Sequence, residues 1–325
     1  MRTSDGRETM STIFLTDTPQ SQITNNKQLE AIEKMNEKIE SEKNNNPKPF
    51  VKWAGGRRQL MDILFSNVPD SFNNYHEPFV GGGALYFKLW SEGRIKKAFL
   101  NDFNQDLIDT YRVIQTRPKE LIEELQSGKY KNESEAYYNI RKIRPQDLVE
   151  KAAIFIYLNK TAFNGLYRVN SKGGFNVPFG KYTNPKICNE ENIMLVSESL
   201  QKATLLSGDF SSVLNHAKKG DFVYFDPPYH PVSKTSNFTS YTKLDFGEKD
   251  QIRLNEVYTK LNEKEAYVML SNSTAPLIVD LYSSYKTITV NARRAINCKA
   301  DRRGPVHELV ALNYEVEPHA TFRNL

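Results

Sequence analysis

Residues 222–225 read Phe-Val-Tyr-Phe, a short run with no polar face, and Asp226-Pro227-Pro228-Tyr229 stops it at once. A strand that is apolar at every position has no side to give to water, so it belongs inside a sheet covered on both faces. Two consecutive prolines lack the N–H that a ladder needs and fix their own φ, so the strand ends at Phe225. The chain therefore calls for an α/β architecture. The carboxyl end of such a strand is also where open α/β sheets bind ligands. Here it carries a carboxylate, a rigid turn presenting carbonyls, and an aromatic ring.

The surrounding pattern agrees. From Phe50 onward, periodicity predicts strands near 74–79, 96–101, 203–208, 221–225, 266–271, 286–290 and 308–314. Helices are predicted near 57–66, 84–91, 104–115, 211–218, 248–262 and 275–283. This alternation describes a largely parallel sheet. It breaks between about 117 and 200, where 120–126, 134–144 and 147–158 read as helices and a Gly/Asn-rich loop, 164–184, follows. The expected organisation is an α/β domain made of 50–116 and 200–325, interrupted by a helical insertion, 117–199. Residues 1–49 are polar and expected to be a flexible tail. Within them 27–43 can form a short helix with Leu29, Ile32, Met35 and Ile39 on one stripe, ended by Asn44-Asn45-Asn46-Pro47.

Composition narrows the function. No stretch approaches the ~18 consecutive apolar residues of a membrane span, and Ile13-Phe14-Leu15 is too short for the core of a secretory leader. Cys188 and Cys298 are far apart and lack zinc-site spacing, so no metal is expected and a reducing cytoplasm is. Neither follows a proline, which argues against a Pro-Cys nucleophile. The net charge of +5 is unevenly placed: Lys129 to Lys186 holds 11 Lys and Arg against 4 Asp and Glu. Such a block is usually a solvated face. Interleaved aromatics and glycines favour a footprint for a phosphate backbone.

Glu77-Pro78-Phe79-Val80-Gly81-Gly82-Gly83 follows the first predicted strand and precedes the helix predicted from Ala84. Glycines there let the backbone approach a ligand closely. The spacing is not Gly-x-Gly-x-x-Gly and no Gly-Lys-Ser/Thr follows, so neither a dinucleotide nor a P-loop nucleotide is supported. Alone, such a turn is more often structural. The second strand, however, ends Leu100-Asn101-Asp102, where an acid is placed to bind both hydroxyls of a ribose. A glycine loop with a ribose-binding acid and no pyrophosphate motif suits an adenosine-bearing cofactor such as S-adenosylmethionine. Phe50 to Arg58 packs Trp53, small residues and three cations together, either as a helix start with a buried Trp or as a lid over the cofactor. Asp209, before Phe210 at the end of the third strand, can accept from the cofactor's adenine amino group. The exocyclic amine of a flipped base needs two acceptors and a ring to stack on, which Asp226–Tyr229 supplies.

These motifs, in this order, resemble the DNA adenine-N6 methyltransferases of the Dam type, the alpha group of the D12 class. The likeness covers roughly residues 50–315 and includes Lys52–Arg57, Glu77–Gly83, Asp102, Asp209 and Asp226–Tyr229. Asn159–Arg168 with Phe175–Gly180 resembles the family's target-recognition hairpin, and Arg293–Asn297 and Arg303–Leu309 also resemble the family. Arg57 stands where a lysine is common. The resemblance implies a Rossmann-like S-adenosylmethionine-dependent methyltransferase sheet with a helical DNA-recognition insertion. It implies Asp226, Pro227, Pro228 and Tyr229 as catalytic residues. For the cofactor it implies Trp53, Ala54, Gly55, Arg57, Glu77, Pro78, Phe79, Gly81, Gly82, Gly83, Asp102, Asp209, Phe210 and Asp226. For double-stranded DNA it implies Lys52, Phe163, Asn164, Leu166, Arg168, Asn176 and Pro178, with GATC as the expected target. A tetrapeptide beginning with Asp favours adenine over cytosine N4. The family contains both orphan regulators and companions of restriction endonucleases acting on the same sites. Rival readings are an enzyme modifying RNA or protein amines and a DNA-binding protein that has lost catalysis. The recognition hairpin argues against the first, and intact Asp226 and Tyr229 against the second.

Overall fold

The run 222–225 forms a strand with all four residues buried. In a computed structural model, which describes residues 46–53, 58–170, 173–232, 246–293 and 305–316, it is β4 (Phe222–Phe225) of a seven-stranded sheet. The others are β1 (Tyr75–Glu77), β2 (Ala98–Asp102), β3 (Ala203–Ser207), β5 (Tyr267–Ser273), β6 (Lys286–Arg293) and β7 (Pro305–Leu312). Their order is β3-β2-β1-β4-β5-β7-β6, parallel except that β7 runs antiparallel to β5 and β6. The chain steps outward from β1 to β3, then returns to place β4 on the other side of β1. The strand order therefore reverses between β1 and β4, the point where open α/β sheets leave a crevice for ligands.

Alternation across the pleat explains why β4 is apolar throughout. Phe222 and Tyr224 enter one core while Val223 and Phe225 enter the other. β7 divides the same way, with Val310 and Leu312 on one side and Leu309 and Ala311 on the other. Helices cover both faces: α1 (Arg58–Ser66), α2 (Ala84–Ser91), α3 (Gln105–Thr116), α4 (Pro118–Gln126), α5 (Ser134–Ile140), α6 (Leu148–Thr161), α7 (Glu190–Leu200), α8 (Glu248–Glu263) and α9 (Pro276–Leu281). Local chemistry starts several of them. The Asn104 side chain caps α3 at Leu107 N, and Asp147 caps α6 at Val149 and Glu150 N. α4 and α9 each begin on a proline, whose missing N–H costs nothing there.

Three sequence expectations shift. The helix expected at 211–218 is a 3₁₀ segment, Phe210–Asn215, capped by Asp209; only a short connection separates β3 from β4, and short pieces favour the tighter turn. α5 stops at Ile140, not 144; Pro145 excludes helical conformation at Arg144, so the expected end at 144 was not open to it. α7 went unread because polar Asn192, Ser197 and Ser199 are buried among its apolar positions and blur the periodic stripe. Asn192 instead binds the Lys48 backbone through both N and O, at 2.8 and 2.9 Å. Of the tail expected over 1–49, residues 1–45 lie outside the described residues, as do Ala54, Gly55, Arg57, 294–297 and Arg303-Gly304. Residues of the 117–199 stretch, among them Leu121, Tyr137, Ala153 and Val177, join the core cluster that also holds Leu85 and Tyr111.

Candidate active site

β1 ends at Glu77 and the chain turns through Pro78–Gly83 into α2. Gly81 and Gly83 have φ of 47° and 67°, the left-handed region that side chains disfavour. A Cβ on Gly81 would lie 2.6 Å from the Trp53 ring, so Trp53 lies directly on the loop. The indole in turn stacks near Tyr167 and Phe155, with centroids 5.6 and 6.3 Å away. Gly81 N donates to Asp102 Oδ2 at 3.0 Å and Asn104 N donates to Oδ1 at 2.9 Å. Each carboxylate oxygen keeps a further lone pair. Burial pushes the Asp102 carboxyl up to about 6, against the pull of those two N–H bonds.

Asn101 ties three strand ends together, its amide donating to the Pro78 carbonyl and the Gly208 carbonyl, each at 3.0 Å. Next along, Asp209 accepts both guanidinium nitrogens of Arg253 at 2.8 Å, and Ser211 N at 3.0 Å. Arg253 holds its carboxyl down at about 2. Phe79 and Phe210 stack with centroids 5.3 Å apart, and Phe246 packs against both. A Cβ on Gly208 would meet nothing within 4 Å.

The turn after β4 stands beside this loop because β1 and β4 pair directly. Asp226 Oδ1 accepts from Ser271 Oγ at 2.8 Å, and Ser271 also meets Tyr224 Oη at 3.0 Å. Pro227 is buried, Pro228 is exposed, and Tyr229 Oη donates to Glu308 Oε2 at 3.3 Å. Glu77 is buried and accepts Tyr75 Oη at 2.9 Å. Burial first, and the charge of Asp226 after it, hold the Glu77 carboxyl well above the usual range, although the Tyr75 hydroxyl opposes the shift.

Across the molecule's helical stretch, the buried Asn159 side chain accepts Lys52 N and donates to Lys52 O, both at 2.7 Å. The same amide reaches the Gly165 carbonyl at 3.2 Å, so one residue fixes both the segment before Trp53 and the turn after α6. That turn exposes Phe163 (45%) and Asn164, the latter at φ 54°. Leu166 is half-buried, and Arg168, Asn176 and Pro178 are exposed. Bridges Ala162–Phe179 and Val169–Phe175 close a hairpin, across which Arg168 donates to the Asn176 carbonyl at 2.7 and 3.2 Å. Lys52 Nζ sits 3.7 Å over the Tyr182 ring. Burial, with the charges of Lys52 and Lys186 adding, lowers Lys160 to about 8.

Several residues that line this region were not singled out from sequence. Phe103 follows Asp102 and is 58% exposed, unusual for an aromatic at a strand end. Ser271-Asn272-Ser273, Gln251 and Arg253 reach the turn or Asp209 only through folding. The one legible signal was the polar Ser-Asn-Ser ending of an otherwise apolar strand. Among the described residues no cluster of His, Cys, Asp or Glu could hold a metal ion, and no helix is long and apolar enough to cross a membrane.

The family model for D12 class N6 adenine-specific DNA methyltransferases matches residues 53–296. The chain is 44% identical over 277 residues to the type II methyltransferase M1.LlaDCHI of Lactococcus lactis subsp. cremoris, covering 83% of this chain and 96% of that protein. It is 44% identical over 286 residues to the type II methyltransferase M.MjaIII of Methanocaldococcus jannaschii, covering 82% and 99%. A DNA adenine methylase of Vibrio cholerae serotype O1 is 35% identical over 268 residues, covering 81% and 95%.

Proposed function

Because this chain belongs to the D12 class of N6 adenine-specific DNA methyltransferases, we propose that it methylates adenine within GATC in duplex DNA, using Asp226–Tyr229 to hold the flipped base. The observation that carries this reading is the position of Asp226 and Pro227: they end β4 at the reversal of strand order, beside the glycine loop of β1.

S-adenosylmethionine, the cofactor of this enzyme class, supplies an electrophilic methyl group when bound. The donor chemistry of the strand ends fits it. Asp102 has lone pairs left for two ribose hydroxyls after accepting Gly81 and Asn104 N. Gly81, Gly82 and Gly83 let the loop backbone lie close against Trp53, Pro49 and Tyr111, with Glu77, Pro78 and Phe79 leading in to the cofactor. Asp209 Oδ2 retains a lone pair for an amino group beside Phe210, and the exposed Phe103 ring offers a face to an adenine. Ala54, Gly55 and Arg57 complete the family's cofactor motif.

At the turn, the Asp226 carboxylate and the Pro227 carbonyl accept the two N6 hydrogens, and Tyr229 stacks on the base. The nitrogen keeps its lone pair for attack. Transfer would form the new N6–CH3 bond as the cofactor's S–CH3 bond breaks and a neutral thioether leaves; Asp226 would stabilise the positive charge gained by N6, and one proton would then leave N6 for that carboxylate or water. On the DNA side, Lys52, Asn164 and Asn176 flank the duplex, while Arg168 reads guanine between Leu166 and Pro178. Phe163 fills the gap that the displaced base leaves, offsetting lost stacking.

The type II relatives favour a companion endonuclease acting on the same sites, and work on DNA points to the cytoplasm. Genes adjacent to this one would identify such a partner. The test of the function is single-turnover methyl transfer to duplexes carrying GATC and each single-base variant. Wild type should prefer GATC, and Asp226→Ala should abolish transfer while still binding cofactor. No preference over random duplex would refute the target. A variant keeping more than about a tenth of the rate, a barrier change of only ~1.4 kcal/mol, would refute the role of Asp226.

A further inference from the structure

The turn 226–230 is gripped from outside at almost every residue. Beyond Ser271 on Asp226 and Glu308 on Tyr229, Gln251 Nε2 donates to the Pro228 carbonyl at 2.9 Å. His230 N donates to Asn272 Oδ1 at 3.1 Å, and Ser273 Oγ donates to the His230 carbonyl at 2.6 Å. No described residue donates to the Pro227 carbonyl.

Gln251 on α8 and Asn272 on β5 are both fully buried, and Asn272 Nδ2 donates to Gln251 Oε1 at 3.0 Å. Their orientation is dictated from both ends. Asn272 Oδ1 takes two backbone N–H groups, those of His230 and Ser273, so its oxygen must face them and its nitrogen must face Gln251. Gln251 must then turn its oxygen to Asn272, leaving its N–H for a carbonyl that can only accept. The pair holds the peptide group before Tyr229 and the one after it. Both prolines already have fixed φ, so these two bonds pin the φ and ψ of Tyr229.

We propose that the Gln251–Asn272 amide pair is a positioning device for Tyr229: it aims the ring on which the target base stacks and occupies the Pro228 carbonyl, leaving that of Pro227 for N6. This rests on the reading of the turn given above. Neither residue is placed against substrate, so both act through the turn.

Two variants test it, Gln251→Met, which keeps volume and loses the donor, and Gln251→Glu. A buried carboxyl is pushed up toward neutral pH, and when protonated it offers one O–H to Pro228 and one carbonyl to Asn272, as the amide does. The titratable groups carried by the neighbouring elements, Asp226, Tyr229, His230, Asp250, Arg253 and Glu308, are the same in wild type, so their titration cancels in a ratio. Single-turnover methyl transfer is measured from pH 6 to 9, beside cofactor affinity by calorimetry and DNA affinity by fluorescence anisotropy. Gln251→Met should lose at least about tenfold in rate at every pH with both affinities within about twofold. Gln251→Glu should regain rate relative to wild type as pH falls. That pH trend compares the Glu variant with wild type and does not involve the Met variant, so it stands even if Gln251→Met folds poorly. A Met variant above half the wild-type rate, affinities that fall with the rate, or a Glu ratio flat with pH overturns the proposal. Wild type that methylates no duplex adenine overturns the parent reading of the site and this one with it.

Discussion

Asp102 shows how burial and function pull on one carboxyl. Its ordinary value is 3.8, and burial raises it to about 6. On the reading proposed above, a protonated Asp102 has lost an acceptor for the ribose hydroxyls. Cofactor affinity should therefore fall roughly tenfold between pH 7 and pH 5, following the ionised fraction, and calorimetric titration would show it. Asp102→Ala should weaken binding at pH 7 and flatten that dependence, with DNA affinity unchanged; an unaltered affinity would make Asp102 a strand-end cap only. For folding the sign is opposite to the usual carboxylate. Because the folded value is raised, stability from this group is full below about pH 4 and declines as pH rises through 6. Asp209 behaves the other way, held ionised down to about 2 by Arg253.

The hairpin between Phe163 and Gly180 has two β-bridges and few buried side chains, so its shape depends on Asn159 below it and on Arg168 spanning its arms. Arg168 must leave the Asn176 carbonyl to meet a guanine. Arg168→Ala should cost ~1–3 kcal/mol of discrimination at one base pair, because a guanidinium fork matches guanine O6 and N7. Arg168→Lys should recover only part of this, since a flexible ammonium lacks the rigid planar fork that fixes both contacts in one geometry. Competition between GATC and single-base variants measures this. Equal weakening on all sequences would make Arg168 a phosphate contact. Lys160 adds a pH effect: lowered to about 8, it carries less charge above that pH, and DNA affinity should drop there. Anisotropy at pH 7 and 9 at constant salt reads the drop, and Lys160→Met should remove it.

At the scale of the molecule, the two cores on either side of the sheet hold the strand ends in register, and the segment before Asn46 precedes every motif. Lys48 is anchored to Asn192, so a chain beginning at Pro47 keeps that tie. Removing residues 1–46 should leave specific activity within about twofold, a barrier change of less than ~0.5 kcal/mol. Methyl-transfer rates on the shortened chain check this. A large loss with an unchanged thermal melt would show that the segment contributes to DNA or partner contact.

The sequence by itself determined the sheet and the order of its motifs, because apolar runs, prolines and glycines act on the backbone within a few residues of themselves. Phe222–Phe225 could only be an interior strand, and Asp102 and Asp226 could only stand at strand ends. It did not reveal α7, whose buried Asn192, Ser197 and Ser199 look like surface until their partners are present. Nor did it reveal Gln251, Asn272, Arg253 or Asn101 as parts of the site. A buried amide or guanidinium is defined by what it bonds, and those partners lie up to 107 residues away, as Gly208 does from Asn101. Only the reversal of strand order between β1 and β4 brings the glycine loop beside the turn at Asp226, since pairing between distant strands is decided by the closed sheet and not by either segment.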